Sequence, residues 1–357
     1  MNNAKLCVVS PCLTMGGMEN AAIVMANFFA NEGLDVTIIT LFKRPHFYKI
    51  DDRIKVIDPT GDRSKGNKCW YYIKTVFFLR KNFRELSPHR VLSYGDWTNI
   101  LVLMACVGIN TKVIISDRAS PDMKFQWHVR FLRRILYPGA HGILAQTERA
   151  AQQKYRMLGK SINIRVIPNP VKPVQLYPEI KRRKIVLGVG RHFYVKGLDR
   201  LIEAFALLNG NHNYKLLIAG SRGPETRELL KITKKYNLNP EEIFLEKIKD
   251  IDRLYADCKI FVLPSRSEGF PNALIESMAA GLACISFDCS AGPSDIITNG
   301  ENGILVENDN VCELTKQMQY LIDNEKEIER LGNNALAIRE RLSLDKIGEQ
   351  YLEFIMN

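Results

Sequence analysis

The strongest constraint on the fold is an alternation of short apolar strands with helical segments that stops once and then resumes. The chain opens with the strand pattern KLCVVS, a TMGG turn, a helical pattern that ends at Gly33, and a second strand pattern, LDVTIITLF. Short apolar strands separated by helices of about ten residues or more predict a parallel sheet that is covered on both faces. The alternation continues to about residue 160.

The segment RVIPNPVKP (165–173) interrupts this alternation with three prolines in six positions. Proline can neither continue a helix nor fill a central strand, so we interpret the segment as a linker. Because the strand–helix pattern then resumes, we predict an α/β protein with two Rossmann-like domains, residues 1–167 and 174–342. A C-terminal helix at about 343–357 is expected to pack back on the first domain. Open sheets of this kind bind ligands beyond the carboxyl ends of their strands, which predicts a nucleotide cleft between the domains.

The charge is distributed unevenly along the chain. The net charge is +11, but residues 1–170 hold 25 Lys and Arg against 12 Asp and Glu, and the remainder holds 25 against 27. A basic excess confined to one half indicates an anionic partner, which can be nucleic acid, a phospholipid surface or a phosphate-bearing substrate. Solubility alone is the simpler alternative.

The cysteines and the apolar runs bear on the compartment. None of the eight cysteines forms a CxxC pair, and most lie in apolar stretches, which is typical of reduced thiols in the cytosol. The first residues contain an apolar run too short for a signal peptide. The longest apolar run, ILVLMACVGI, has ten residues, whereas a membrane-spanning helix needs about 18 or more.

Two short motifs are candidates for phosphate binding. Gly16 and Gly17 follow the first strand and open the first helix, where backbone N–H groups and the helix dipole favour a phosphate, although a plain tight turn is as good a reading. In GVGRHFYVKG, Arg191 and Lys196 lie between a strand and a helix. Two cations at the carboxyl edge of a sheet can neutralise a diphosphate, and two solvated loop charges are the alternative.

The stretch SRSEGFPNALIESMAAG (265–281) places two carboxylates eight positions apart. The pattern predicts a loop with Glu268, a helix with Pro271 at its first position and Glu276 on its second turn, and a helix end at Gly281. Because a carboxylate can accept hydrogen bonds from neighbouring hydroxyls, one glutamate can hold a ribose and the other a second sugar. A dipole interaction for the first and an exposed helix face for the second is the competing interpretation.

Taken together, GGMEN, GRHFYVKGLDRLIEAF, SRSEGFPNALIESMAAGLACIS and AGPSDIITNGENGILV resemble the retaining glycosyltransferases of family four, which have the GT-B fold. The resemblance extends over essentially the whole chain. Its most specific element is the pair of glutamates with Gly-Phe-Pro between them. SYGDWTNI, ISDRASP and FLRRILYP are similar to the subgroup that transfers N-acetylhexosamines or hexoses from UDP-sugars in bacterial glycan assembly, including O-antigen.

The resemblance implies a role for each matching residue. The donor ribose would bind Glu276, the transferred sugar Glu268, and the diphosphate Arg191 and Lys196. The other donor contacts that it implies are Gly16, Gly17, Asp117, Arg118, Ile248, Gly269, Phe270, Pro271 and Asn272. Asp117 and Arg118 are the nearest match to a donor-contacting histidine of many relatives, and Ile248 matches the position whose backbone meets the base.

The reaction so implied is glycosyl transfer with retention, and its UDP leaving group would be stabilised by cations and helix dipoles without a metal or other cofactor. The acceptor would be a lipid-linked glycan or polysaccharide, which the resemblance places on the first domain, and the nucleotide sugar would bind to the second domain. WYYIKTVFFLRKNFREL and FQWHVRFLRRILYP mix aromatic and basic residues as interfacial helices do, which predicts a peripheral protein on the anionic inner face of the cytoplasmic membrane. The residues predicted to contact the membrane or the acceptor are Trp127, Arg130, Arg133 and Arg134. Ordinary core-facing helices are the alternative.

Two other function classes fit part of the sequence. A nucleic-acid-binding α/β protein would also be basic, but it leaves Glu268 and Glu276 unexplained, so no nucleic-acid partner is predicted. A nucleotide-dependent dehydrogenase would carry GxGxxG after the first strand and an acidic residue at the end of the second. The chain has neither feature at those places.

Overall fold

A computed structural model describes residues 4–14, 16–60, 68–210, 213–246 and 248–357. The chain forms two compact units. Unit 1 comprises residues 1–170 together with 344–357, and unit 2 comprises residues 171–343. Each unit is built around one parallel sheet, as the strand–helix alternation predicts.

Unit 1 contains a seven-stranded sheet in which every pairing is parallel. Its strands are β1 (Lys5–Ser10), β2 (Asp35–Thr40), β3 (Lys55–Ile57), β4 (Arg90–Tyr94), β5 (Lys112–Asp117), β6 (Gly142–Ala145) and β7 (Ile164–Val166). Their order is β3-β2-β1-β4-β5-β6-β7. In the register, Val8 pairs with Ile38 on one side and Leu92 on the other. The helices that follow these strands are α1 (Gly17–Asn31), α2 (Lys68–Leu86), α3 (Asp96–Cys106), α4 (Trp127–Leu136) and α5 (Glu148–Leu158).

Unit 2 contains a six-stranded parallel sheet. Its strands are β8 (Arg183–Val189), β9 (Lys215–Ala219), β10 (Phe244–Leu245), β11 (Cys258–Leu263), β12 (Ala283–Asp288) and β13 (Ile304–Glu307), in the order β10-β9-β8-β11-β12-β13. The helices are α6 (Leu198–Ala206), α7 (Thr226–Lys235), α8 (Pro240–Ile243), α9 (Ile251–Asp257), α10 (Asn272–Ala279), α11 (Pro293–Ile296), α12 (Val311–Asp323), α13 (Glu325–Ala335), α14 (Ile338–Arg341) and finally α15 (Leu344–Met356), which belongs to unit 1.

The two cores explain why the strands are continuous apolar runs. Ile39, Val91 and Ile115 are fully buried in unit 1, and Val186 and Ile260 are fully buried in unit 2. A parallel strand is covered by helices on both faces, so neither of its sides needs polar residues.

The C-terminal helix α15 packs on α1 and β4 of unit 1. Tyr351 and Ile355 are fully buried. A Cβ at Gly348 would lie 2.4 Å from the ring of Phe28, which shows how closely the two helices approach. The guanidinium of Arg90 donates hydrogen bonds to the last carbonyls of α15, which lack partners within the helix.

Each sheet has a point where the strand order reverses. In unit 1 the reversal lies between β1 and β4, and in unit 2 it lies between β8 and β11. The loops that leave these strands at their carboxyl ends diverge to opposite faces of the sheet, which opens a crevice for a ligand. A ligand site is therefore expected in the segments that follow these four strands.

Two further features concern the chain as a whole. No helix within the described part of the chain combines the length and apolar character that a membrane crossing requires. Cys7, Cys12, Cys106, Cys258, Cys284, Cys289 and Cys312 are free thiols.

Candidate active site

The carboxyl edge of the unit 2 sheet brings together a cation and a carboxylate that are 72 positions apart in sequence. Lys196 follows β8 and Glu268 follows β11, the two strands at the reversal point. The Lys196 Nζ donates a hydrogen bond to Glu268 Oε1 at 2.7 Å. Ser265 Oγ donates to the same oxygen, also at 2.7 Å. The Glu268 side chain is 8% exposed and that of Lys196 is 28% exposed, so the pair is shielded but reachable from solvent.

The turn that carries Lys196 is fastened to the loop after β11 by Arg266. The Arg266 backbone N–H donates to the Val195 carbonyl at 2.9 Å, and the guanidinium donates to the Tyr194 carbonyl at 2.9 Å. The same guanidinium holds the Asp199 carboxylate through two hydrogen bonds of 2.8 and 2.6 Å. A two-pronged pair of this kind fixes direction as well as distance. Arg266 therefore positions the turn, and with it Lys196.

Gly197, the residue after Lys196, is required by the backbone. Its φ angle is +60°, and a Cβ at this position would lie 1.9 Å from the carbonyl oxygen of Pro264. No side chain fits there without moving one of the two loops. The close approach of these backbones sets the spacing between Lys196 and Glu268.

The other residues of the loop after β8 have different environments. Arg191 is exposed, and its guanidinium lies 4.9 Å from the ring centroid of Phe193. His192 is 2% exposed, with Nδ1 3.1 Å from Thr226 Oγ1 and its ring edge against Phe244. Burial lowers the pKa of His192, so its imidazole is neutral at pH 7. Arg191 remains free to turn toward a ligand, whereas His192 holds the loop in place.

Glu276 lies on the second turn of α10, as predicted. Tyr255, which is fully buried, donates its hydroxyl to Glu276 Oε2 at 3.3 Å. Burial raises the pKa of Glu276, and nearby Lys172 and the Tyr255 hydrogen bond oppose the shift. The predicted helix start is wrong by one position, because α10 begins at Asn272 and Pro271 is its N-cap. The predicted end is confirmed, since Gly281 has a φ of +77° just beyond the helix.

Gly269 and Phe270 connect Glu268 to α10, and the side chains of Phe270 and Pro271 are both buried. The loop after β12 supports this segment. Gly292 has a φ of +100°, and a Cβ there would lie 2.4 Å from Pro271 Cδ. The loop therefore packs against the Gly-Phe-Pro segment and fixes where α10 begins.

Three predicted donor contacts lie elsewhere. Ile248 is half-buried in the segment after β10, and its neighbour Lys247 lies outside the described residues. In unit 1, Gly17 is the first residue of α1 and Gly16 is its N-cap. The Tyr48 hydroxyl accepts a hydrogen bond from the Gly16 N–H and donates one to the Gly16 carbonyl, both at 3.2 Å. Gly16 therefore has its own N–H engaged, and the first turn of α1 begins immediately beside it.

A buried network of four charges lies at the carboxyl edge of the unit 1 sheet. Asp117 ends β5 and is 1% exposed. It pairs with Arg133 of α4 and with Lys154 of α5, the latter at 3.3 Å. Asp96 begins α3, and its Oδ1 lies 3.5 Å from Arg133 Nη1. Burial opposes ionisation of Asp117, but Lys154 and Arg133 outweigh it and lower its pKa.

This network corrects two predictions. Asp117 is not available to contact a donor sugar, because its carboxylate is buried and neutralised by two cations. Arg133 is not a membrane contact, because its side chain is 4% exposed and it is committed to Asp117 and Asp96.

Arg118 is also engaged within unit 1. Its Nε donates to Ser116 Oγ at 2.9 Å, one terminal nitrogen donates to Asn169 Oδ1, and the other donates to the Tyr351 hydroxyl at 3.1 Å. The side chain thus ties β5 to residue 169 and to α15. This observed role is structural, in contrast to the predicted contact with the donor sugar.

The remaining predicted membrane contacts lie on the surface of α4. Trp127 is 79% exposed, and Arg130 and Arg134 are exposed beside it. The same helix also exposes Phe131 and Ile135. Because Trp127, Phe131 and Ile135 are four residues apart, they form one outward stripe of the helix.

Helix α2 has a similar outer face. Trp70, Ile73 and Phe77 are exposed, and Lys74 Nζ lies 5.4 Å from the Trp70 ring centroid. The inner face of α2 contributes Leu79 and Phe83 to the core. Both helices thus pack inward as core helices do and also present large apolar side chains outward.

Sequence reasoning missed several residues that build these sites. Arg266 and Ser265 lie within three residues of Glu268, and this proximity was the available signal. Tyr255 contacts Glu276, and Asp96 contacts Arg133, only because of the strand order, which no local pattern reveals. No cluster of three or more His, Cys, Asp or Glu side chains in the described residues is arranged to hold a metal ion.

The comparison with solved structures defines the fold class. HepE from Anabaena, solved in complex with UDP and glucose, superposes with a TM-score of 0.80 at 16% identity, over 98% of each chain. The protein therefore has the GT-B fold of glycosyltransferases. The model of Glycosyltransferase Family 4 matches residues 15–175, and that of Glycosyl transferases group 1 matches residues 176–337. The two matches together extend over residues 15–337, so the chain belongs to this family of glycosyltransferases and is a glycosyltransferase enzyme.

Two curated relatives match along nearly the full length. An uncharacterized glycosyltransferase of Haemophilus influenzae is 28% identical over 346 residues, which cover 94% of this chain and 95% of the relative. A Campylobacter jejuni relative is 28% identical over 360 residues, which cover 98% of both chains. That relative is the GalNAc-alpha-(1->4)-GalNAc-alpha-(1->3)-diNAcBac-PP-undecaprenol alpha-1,4-N-acetyl-D-galactosaminyltransferase.

Proposed function

We propose that the protein transfers an N-acetylhexosamine or hexose, with retention of configuration, from a UDP-sugar to a lipid-linked or polysaccharide acceptor. The reaction would serve the synthesis of a bacterial cell-surface glycan. The observation that carries the proposal is the Lys196–Glu268 pair at the reversal point of the unit 2 sheet. The name of the Campylobacter relative, which includes an undecaprenol-linked glycan, supports the acceptor class. The UDP complex of HepE supports the donor class.

The pair suits a sugar diphosphate because its cation can bind the diphosphate and its carboxylate can bind the sugar. Lys196 supplies a positive charge for the departing diphosphate, and exposed Arg191 in the same loop can add a guanidinium. Glu268 can accept hydrogen bonds from sugar hydroxyls, and Glu276 from ribose hydroxyls. With cations of the protein beside the phosphates, we propose that the transfer needs neither a metal nor an organic cofactor.

The proposed location is the inner face of the cytoplasmic membrane, without a spanning segment. The outer faces of α2 and α4 support it, because they present Trp70, Phe77, Trp127 and Phe131 among exposed basic residues. Aromatic rings enter the headgroup region, and Lys and Arg attract anionic lipids. A lipid-linked acceptor would be met at the same surface.

The test is UDP release from a panel of UDP-sugars, with and without a polyprenyl-diphosphate-linked glycan. We expect release with one UDP-sugar to depend on the acceptor, and the product to keep the anomeric configuration of the donor by NMR. Lys196→Ala and Glu268→Ala should each lower transfer by roughly 100-fold or more. Lys231→Ala, an exposed lysine of unit 2, is the control. Full activity in both site variants would refute these roles, and transfer that requires a divalent metal would refute the metal-free mechanism.

A further inference from the structure

A cavity of about 750 Å³ lies in unit 2, at the edge of the sheet opposite the candidate active site. Among the residues that line it, Arg182 precedes β8, Lys259 is the second residue of β11, and Gly281 lies just before β12. Because β11 has six residues, each adding about 3.3 Å, the cavity lies roughly 20 Å from the edge that carries Lys196 and Glu268. A cavity of this volume is large enough for a small organic molecule.

The wall of the cavity is built from segments of unit 2 alone. Residues 174–180, which follow the proline-rich linker, line one side, and α9, α13 and α14 contribute the others. Apolar side chains supply much of this wall, among them Leu176, Ile180, Ile328 and Leu336. An apolar wall favours an occupant that has an apolar body of its own.

Two half-buried arginines line the cavity where α10 ends. Arg339 Nε donates a hydrogen bond to the Ala279 carbonyl at 2.6 Å, and a terminal nitrogen of Arg182 donates to the Ala280 carbonyl. Within the described part of the chain, both guanidiniums bind backbone carbonyls and neither has a carboxylate partner. A guanidinium has five N–H groups, so each arginine keeps donors for a ligand. Burial lowers the pKa of Arg182, and an anion beside it would compensate for the lost hydration.

The acidic side chains of the wall have cations of their own. Asp252 pairs with Lys172 at 2.8 Å, and Glu325 pairs with Lys259. Glu329, on the exposed face of α13, also acts on Lys259 and raises its pKa, although burial lowers that pKa overall. The wall's carboxylates therefore leave the two guanidiniums at the end of α10 uncompensated.

We propose that this cavity binds a small phosphomonoester with an apolar or aromatic body. The phosphate accepts hydrogen bonds from Arg182 and Arg339, and the body packs against the apolar wall. Two guanidiniums match the double charge and the several acceptor oxygens of a phosphate, whereas a carboxylate has a single charge. The site is separate from that of the nucleotide sugar, which is assigned to the opposite edge of the same sheet.

The test is calorimetric titration of the full chain with phenyl phosphate, and with inorganic phosphate as the probe that lacks a body. At pH 8 both are largely dianions, and we expect phenyl phosphate to bind at least roughly tenfold more tightly, because it alone buries apolar surface in the cavity. Arg339→Gln should weaken the binding of phenyl phosphate by roughly tenfold or more. Arg182 is left unchanged, because it also donates to the Tyr255 carbonyl at 3.1 Å and Tyr255 supports Glu276.

Arg341→Gln is the matched control. Arg341 lies on the same helix, α14, and donates to the Ile296 carbonyl at 2.7 Å, but it does not line the cavity. This variant loses the same charge and a comparable hydrogen bond, and it should bind phenyl phosphate as the wild type does. Equal binding by the Arg339→Gln and Arg341→Gln variants would overturn the assignment of the site.

A second measurement on the wild type locates the ligand without any substitution. Phenyl phosphate should slow amide hydrogen exchange in residues 174–182 and leave residues 191–197 unchanged. Protection of residues 191–197 instead, or binding that is lost in Lys196→Ala and kept in Arg339→Gln, would place the phosphate in the candidate active site and overturn the proposal. No binding to the wild type, or equal affinity for phenyl phosphate and inorganic phosphate, would overturn it as well. None of these results bears on transfer from UDP-sugars, which is measured separately.

Discussion

Arg133 and Arg134 are adjacent on α4, yet the structure predicts that their loss has very different effects on stability. The Arg133 side chain is 4% exposed, pairs with Asp117 and approaches Asp96. Its guanidinium also lies 4.2 Å from the Phe125 ring centroid. Arg134 is exposed. Arg133→Met keeps much of the side-chain volume but leaves buried Asp117 with Lys154 as its remaining cation.

The magnitude follows from removing one partner of a buried ion pair, which costs about 3–5 kcal/mol. A surface substitution such as Arg134→Met changes the free energy of unfolding by about 0.5 kcal/mol or less. For a unit of this size, each kcal/mol corresponds to roughly 2–4 °C in Tm, so Arg133→Met should lower Tm by roughly 6–20 °C.

The assay can report unit 1 alone. All three tryptophans of the chain, Trp70, Trp97 and Trp127, lie in unit 1. Tryptophan fluorescence during reversible urea unfolding therefore follows that unit, whatever unit 2 does. If the free energies of unfolding of Arg133→Met and Arg134→Met agreed to within about 1 kcal/mol, the buried network would not exist as described. Partial recovery in Arg133→Lys would show that the positive charge itself is what stabilises the unit.

Three other outcomes are expected. Gly197→Ala must displace the Pro264 carbonyl or the turn, because the new Cβ would lie 1.9 Å from the carbonyl oxygen. We expect glycosyl transfer to fall by roughly tenfold or more and amide hydrogen exchange in residues 194–206 to become faster. Arg266→Lys keeps the charge but loses the two-pronged hold on Asp199. It should lower transfer measurably, and unchanged kcat would exclude a positioning role. Trp127→Ala combined with Arg134→Ala should weaken binding to phosphatidylserine vesicles by roughly tenfold or more, and salt should weaken wild-type binding; equal vesicle affinity would remove α4 from the membrane surface.

Local patterns were sufficient to predict the two sheets and the elements around the glutamates. Continuous apolar strands, a helix that ends before Gly281 and a carboxylate on each side of Phe270 are all properties of short segments. The exact helix start was not predictable, because Pro271 fits both the N-cap and the first helical position.

Contacts between distant segments were beyond the reach of those patterns. Lys196 meets Glu268 because β8 and β11 are neighbours in the sheet, although 72 positions separate the residues. Asp96 meets Asp117 for the same reason, since each follows or ends one of the neighbouring strands β4 and β5. Strand order is a property of the whole sheet and cannot be read from either segment.

Periodicity and backbone preference are local properties, so the amino-acid sequence was enough to predict two parallel α/β units with glycine turns and charged loops at their strand ends. Which charged side chains of α4 are buried depends instead on how the helix packs against the sheet. In α4 the side chains of Val129 and Arg133 are buried and that of Phe131 is exposed, although hydrophobicity alone would favour burial of Phe131 over Arg133. The physical reason is that Asp117 ends a buried strand at that point, and a buried carboxylate requires a cation beside it.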